Sequence, residues 1–321
     1  MENKVNDVRR DNTTGNDKPK ATKLSSYVLA LRPWSLSASL MPTLLGSAIA
    51  YKCNNNISDF SWLIFLCTLF TAVCVHGAGN IVNTYYDYVK GIDGRKSDDR
   101  TLVDHILSKD EVVTLGGMLY AAGCVGFIFL LLISPAKFEH LVMVYFGGLS
   151  SSFLYTGGIG LKYIALGDVL VLIIFGPISV LFAFMSQTGH IEWATIYYAI
   201  PLALNTEAIL HSNNTRDMES DCQVGIVTLA ILIGHTASHI LYAFLLFTPY
   251  IFFVGLGVRH TLWFFLPLIT LPAAFRIEKQ FRCLDTIQEV PKQTAKLNLY
   301  FGFLYVLACS LADTEQLPFI H

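Results

Sequence analysis

The chain has 321 residues, 53% hydrophobic and 14% charged, with a mean hydropathy of +0.51 and a net charge of −2. So many uncharged apolar runs exclude an ordinary soluble core, and no nucleic-acid partner is expected. A helical span of a bilayer takes about 20 apolar residues, and about nine such segments follow one another. They lie near 28–51, 61–86, 112–134, 140–156, 166–186, 193–212, 227–256, 260–275 and 297–313. The runs lack the period-2 alternation of a barrel strand. The expected fold is all-α and polytopic, about nine transmembrane helices in one bundle.

In chain order, residues 1–26 are polar, mixed in charge and without an apolar core. That excludes a secretory signal and reads as a disordered cytosolic tail. The first span carries Arg32-Pro33-Trp34 near its cytosolic end. Arg32 either snorkels to the interface or turns inward to meet a phosphate. Ser35, Ser37, Ala38 and Ser39 are small enough to let helices pack closely. In the second span, His76, Asn80 and Asn83 are expensive in hydrocarbon unless they face a partner or a wet cavity. His76 by itself reads as a hydrogen-bonded structural group.

The run after that span, NIVNTYYDYVKGIDGRKSDDRTLVD at 80–104, is the most charged in the chain. Asn83 and Asp87 are four apart and share a helical face, and Asp93, Asp98 and Asp99 follow. At the end of the sixth span HSNNTRDMESD repeats the theme, with Asn213, Asp217 and Asp221 spaced by four and therefore on one stripe. Mg²⁺ is held by one or two carboxylates plus substrate phosphates. Two such motifs suggest one metal-bridged polyphosphate site.

Basic residues orient the bundle. Of 22 Lys and Arg, only Lys52, Lys137 and Arg259 fall on the far face. The positive-inside rule then places the N-terminus and both acidic motifs in the cytosol. The seventh span is too long for a straight crossing and is expected to break near Gly234. Seven cysteines without CxxC spacing are expected as free thiols.

The strings LRPWSLSASL, VHGAGNIVNTYYDYVKGID, KSDDRTLVD, YFGGLSSSFLYTGGIGLKY, PLALNTEAILHSNNTRDMESD and AKLNLYFGFLYV resemble the UbiA superfamily of intramembrane aromatic prenyltransferases. The likeness runs from about residue 26 to 313 and is closest to the family's animal branch. It implies helices around one central cavity, a membrane domain over 27–315 and a short tail at 316–321. It implies Mg²⁺, an isoprenyl diphosphate donor (geranylgeranyl diphosphate) and a naphthoquinone acceptor such as reduced menadione, giving menaquinone-4, a vitamin K. Asn83, Asp87 and Asp93 match the first motif's metal ligands, and Asp217 and Asp221 the second's, with Asn213 or Asn214 in support. Tyr155 and Lys162 match the family's Tyr and Lys, Lys162 contacting diphosphate.

Ionising an allylic diphosphate builds negative charge on the leaving group, which Mg²⁺ and cationic side chains stabilise. Lys162, Arg32, Arg100, Lys96, Arg95 and Arg216 are candidates, with topology signalling as the plain alternative. Asp87, Asp217 and Tyr155 are the expected catalytic centre. Tyr85, Tyr86, Tyr88 and Tyr155 are candidates to shield the cation. Asp168 is a candidate base, with helix capping the competing role. Cys222-Gln223-Val224 departs from the Arg-Glu-Ala usual in close relatives, and His235 and His239 take no role. Rival readings are another acceptor such as 4-hydroxybenzoate or haem, a transporter, and a sterol-pathway regulatory protein, a sterol-synthesis reductase being an implied partner. The expected membrane is the endoplasmic reticulum or Golgi, with the mitochondrion as the alternative.

Overall fold

The computed structural model describes residues 22–53, 60–93 and 99–320. Residues 1–21 of the expected tail, and Arg95, Lys96 and Asp98, lie outside the described residues. The helices are α1 Lys23–Ala30, α2 Ser37–Cys53, α3 Trp62–Val89, α4 Lys109–Ile133, α5 Phe138–Thr156 and α6 Gly167–Ile173. Then come α7 Ser179–Thr188, α8 Ala194–Arg216, α9 Met218–Gln223, α10 Leu229–Arg259, α11 Leu271–Phe281 and α12 Val290–Leu311. Among the described residues the only β pairing is an isolated bridge between Ile164 and Val227.

Among the described residues, five helical stretches are long and apolar enough to cross a membrane: Trp62–Val89, Lys109–Ile133, Gly167–Thr188, Leu229–Arg259 and Ile287–Leu311. Large apolar side chains such as Leu66, Phe129, Leu132, Ile251 and Val258 stand exposed on their outer faces. In water that belt would be an interaction liability. Against hydrocarbon it is the expected surface.

Several expected spans differ from the structure. The first is split, and helix begins earlier than 27, with the Thr22 side chain capping α1. Pro33 pushes the residue before it out of the helical region, and Arg32 takes a left-handed φ of 51°. The chain therefore breaks at Leu31–Leu36, and Arg32 swings inward instead of riding on a helix. The fifth span contains a π-turn at Ile174–Ile178 with Pro177 inside. Ser179 Oγ donates to the Ile174 carbonyl at 2.6 Å, reinforcing the Ser179 N–H bond to the same oxygen across the π-turn. The eighth is a 3₁₀ stretch, Leu262–Thr270, followed by α11. The seventh breaks where expected, at Gly234 with φ 75°.

Close helix approach sets the bundle. A Cβ on Gly46 of α2 would sit 2.2 Å from the Val180 carbonyl oxygen of α7, and one on Gly126 of α4 2.4 Å from Thr71 Oγ1 of α3. Small residues let membrane helices gain dispersion contacts where no hydrophobic driving force exists. The largest buried cluster joins α2, α8, α10 and α12 and includes Tyr198, Tyr242, Phe253, Phe301 and Tyr305. Its tyrosines are satisfied: Tyr198 donates to the Pro318 carbonyl at 2.9 Å, Tyr305 to the Tyr198 carbonyl at 3.0 Å, and Tyr242 meets Thr294 at 2.7 Å. All seven cysteines are free.

Candidate active site

The two acidic motifs meet across one cavity of about 660 Å³. The first motif ends α3 by a recognisable device. Gly91, at φ 73°, lets Ile92 N–H bond back to the Asp87 carbonyl at 2.8 Å and Gly91 N–H to that of Tyr88 at 3.1 Å. These are the paired bonds of a Schellman cap. The reversal returns Asp93 to the cavity that Asn83 and Asp87 already line.

The second motif is not one straight stripe, contrary to the spacing argument. Helix α8 stops at Arg216, and Asp217 (φ −94°, ψ 5°) caps it before α9 begins. The i→i+4 bonds from Asp217 to Asn213 (3.1 Å) and from Asp221 to Asp217 (2.9 Å) survive the kink. Asn213, Asn214, Asp217 and Asp221 therefore still line the cavity. The loop bearing Lys162 is tied to the segment after this motif: Ala165 N–H bonds the Val227 carbonyl at 2.7 Å and Val227 N–H that of Tyr163 at 3.2 Å.

Lys162 Nζ lies 2.6 Å from Asp87 Oδ2 and 3.0 Å from Asn83 Oδ1. The Tyr163 hydroxyl donates to Asp87 Oδ1 at 3.0 Å and that of Thr156 to Asn83 Oδ1 at 3.1 Å. Arg32 pairs with Asp99 at 2.6 Å, and Thr84 donates to the same carboxylate. Arg216 forks onto Asp217 at 2.7 and 2.6 Å and reaches Asn213 at 2.7 Å. Arg100 lines the rim and pairs with Asp104.

Beyond the helix ends the carboxylates diverge. Burial and the neighbouring Asp87 charge push Asp93 up to about 7. Burial and Asp217 push Asp221 up to about 6. Burial works in the same direction on Asp99, but the Arg32 charge and the bonds from Thr84, Arg32 and the Thr101 N–H outweigh it and hold this carboxyl well below the usual range. Burial first, and a like-charged neighbour second, disfavour ionised Asp93 and Asp221, a penalty that a further cation would relieve.

Among the described residues no three His, Cys, Asp or Glu side chains are gathered closely enough to hold a metal ion. The donor chemistry nonetheless fits Mg²⁺: four carboxylates, Asp87, Asp93, Asp217 and Asp221, and the amide oxygens of Asn83 and Asn213 line one cavity. Lys162 and Arg216 pair with Asp87 and Asp217 at 2.6 Å each.

Tyr155 lines the cavity, whereas Tyr85, Tyr86 and Tyr88 do not. Tyr85 and Tyr88 pack around Ile81 and Leu102, and Tyr86 lies against Gly157, because three rings within one helical turn point in different directions around α3. Asp168 is buried outside the lining, 3.8 Å from His211 Nδ1, and makes no capping bond. With Glu207 it forms a buried polar cluster that the cost of such groups in hydrocarbon could have flagged. Tyr163, Thr156 and Thr84 were missed; hydroxyls in loops and helices carry no spacing signal. Cys222, Gln223 and Val224 are exposed. His235 borders a small surface pocket, and His239 packs edge-on against Phe281.

The profile of the UbiA prenyltransferase family matches residues 39–305. The chain is 68% identical over 296 residues to the UbiA prenyltransferase domain-containing protein 1 homolog of Drosophila melanogaster, covering 92% of this chain and 82% of that one. Among solved structures, the apo UbiA homolog from Aeropyrum pernix K1 superposes with a TM-score of 0.65 at 13% identity, over 84% of this chain and 96% of that one. A UbiA homolog from Archaeoglobus fulgidus bound to DMAPP and Mg²⁺ does so with a TM-score of 0.56 at 15% identity, over 88% and 99%. The two structures speak for the fold, and the profile and the fly relative for descent: this helical, membrane-embedded chain belongs to the UbiA prenyltransferase family.

Proposed function

We propose that the chain transfers a geranylgeranyl group from its diphosphate to the reduced naphthoquinone menadiol, yielding menaquinone-4. The observation that carries the reading is the convergence of two oxygen-rich helix ends, each paired with a basic side chain, on one cavity with apolar walls. The Archaeoglobus homolog's DMAPP and Mg²⁺ support the same donor class here.

Asn83, Asp87, Asp93, Asn213, Asp217 and Asp221 would hold Mg²⁺, which when bound neutralises the diphosphate and stabilises the departing pyrophosphate. Lys162, Arg32 and Arg216 sit within the same mouth. Once their carboxylates are engaged elsewhere, these cations turn to the diphosphate oxygens, where charge grows as the C–O bond breaks. Arg100 serves the rim, and Lys96 is proposed as a further diphosphate contact. Tyr155, Leu170, Ile174 and Phe175 line the same cavity and wall the allylic carbon from water. Nine spans over 27–315, with both motifs cytosolic in an endoplasmic reticulum or Golgi membrane, complete the proposal, since a charged soluble donor arrives from that side.

The test is direct. Purified protein in lipid nanodiscs is incubated with menadiol, geranylgeranyl diphosphate and Mg²⁺, and the product is identified by mass. Absence of a conjugate with any quinone or phenol would remove the enzymatic reading.

A further inference from the structure

His76 lines the same cavity from α3, seven residues before Asn83. Seven residues are two helical turns, so it shares Asn83's face about 10 Å further along the helix. Its Nδ1 lies 2.9 Å from Ser39 Oγ. That hydroxyl has one hydrogen and donates it to the Leu36 carbonyl at 3.1 Å. The bond between the two side chains is therefore donated by His76 Nδ1–H. In neutral imidazole the other nitrogen, Nε2, then carries a bare lone pair. Nε2 is not among the buried unpaired atoms, and among the described residues no protein group takes it. It opens onto the cavity.

One turn nearer the metal end, Asn80 spends its amide N–H groups on the Leu31 carbonyl and Ser35 Oγ, each at 2.9 Å. Its carbonyl oxygen has no hydrogen-bond partner among the described residues, and Asn80 lines the cavity. The Phe175 ring stands 4.7 Å from the imidazole, centre to centre, tilted by 45°. Below the metal ligands, then, α3 presents hydrogen-bond acceptors beside an aromatic face. Such a wall matches a flat ring bearing O–H groups and mismatches one bearing carbonyls, whose oxygens would meet lone pairs.

We propose that His76, held in one tautomer by Ser39, accepts the hydroxyl proton of the aromatic acceptor at Nε2 and thereby selects the hydroquinone over the quinone. This rests on the prenyl-transfer reading above. As the allylic C–O bond breaks, pyrophosphate leaves with the electron pair. The ring carbon ortho to the hydroxyl forms the new C–C bond while the O–H bond breaks, its proton going to Nε2 and leaving a neutral ring ketone. The hydrogen on the prenylated carbon then departs as a proton to pyrophosphate. Nε2 returns its proton to the ketone oxygen, and the aromatic hydroxyl is restored. No oxidant or reductant is needed. His76 is the catalytic residue of this step and Ser39 its positioning residue.

The experiment uses the full chain in nanodiscs and two acceptors, menadiol and its methyl ether at the hydroxyl ortho to the attacking carbon. His76→Asn keeps an N–H where Nδ1 stood, so Ser39 stays satisfied, and it deletes Nε2. On menadiol its kcat falls by about 10²–10³, the range of general-base catalysis, while the KM for geranylgeranyl diphosphate and the Tm stay at wild-type values. Ser39→Ala loses less, about tenfold, because Nε2 remains but its tautomer is no longer enforced. On the methyl ether, which has no proton to give, wild type and His76→Asn turn over equally slowly. His76→Gln, which puts a non-basic oxygen near the Nε2 position, repeats the comparison if His76→Asn fails to fold. An unchanged kcat on menadiol, or the same fold loss on both acceptors, would overturn the inference and leave His76 as packing. A wild type that prenylates nothing would instead sink the functional reading itself.

Discussion

Replacing Lys162 by Met removes the cation that Asp87 and Asn83 share and keeps most of the side chain's volume. Nζ lies 2.6 Å from Asp87 Oδ2, with the side chains 15% and 5% exposed. At an effective dielectric of about 20 such a pair is worth roughly 6 kcal/mol of gross attraction. Desolvating both charges takes back several kcal/mol, so losing one partner costs at most about 3–5 kcal/mol of stability. Tyr163, still donating to Oδ1 at 3.0 Å, keeps the loss toward the lower end. The chemical cost is separate: one donor missing from the developing charge on pyrophosphate is worth about 10²–10³ in kcat. Metal affinity moves the other way, because Asp87 no longer has an internal competitor. The assay pairs turnover by mass with titration of Mn²⁺, followed by its paramagnetic signal, in the absence of donor. Lys162→Met should bind the ion more tightly and turn over at most a hundredth as fast. A kcat within about threefold of wild type would refute the assignment, since no charge-stabilising donor of this kind is so cheaply lost.

Three further outcomes follow from the same geometry. Asp99 has a depressed folded-state pKa, so its contribution is complete above the unfolded value of about 3.9 and is lost as pH falls below it; Asp99→Asn should flatten the acid limb of Tm against pH, measured by scanning fluorimetry, and an unchanged limb would sink the Arg32–Asp99 argument. A Cβ on Gly46 would meet the Val180 carbonyl oxygen at 2.2 Å, so Gly46→Ala should lower stability by about 1–3 kcal/mol through forced separation of α2 and α7; a wild-type Tm would contradict that close approach. EDTA should abolish product formation yet leave the Tm of donor-free protein unchanged, because Lys162 and Arg216 already balance the carboxylates; unfolding on chelation would mark the metal as structural instead.

The sequence by itself determined the membrane class, the two acidic motifs and the break at Gly234. The reason is energetic: in hydrocarbon each polar group is costly, so Asn83, Asp87 and Asp217 stand out against apolar neighbours, and spacing by four marks a shared face. Span number and limits were harder, because Pro33 and Pro177 each disturb a helix in a way hydropathy does not register. Helical periodicity says which residues lie together on their own helix, but not where that face points. Only the tertiary structure decided that Lys162 reaches Asp87 across 75 residues and Arg32 reaches Asp99 across 67. It alone decided that Tyr85, Tyr86 and Tyr88 turn from the cavity, and that Ser39 dictates which nitrogen of His76 faces it. Those relations depend on how closely α2 approaches α7 and α3 approaches α4. Contacts at Gly46 and Gly126 set those distances, and no local pattern encodes them.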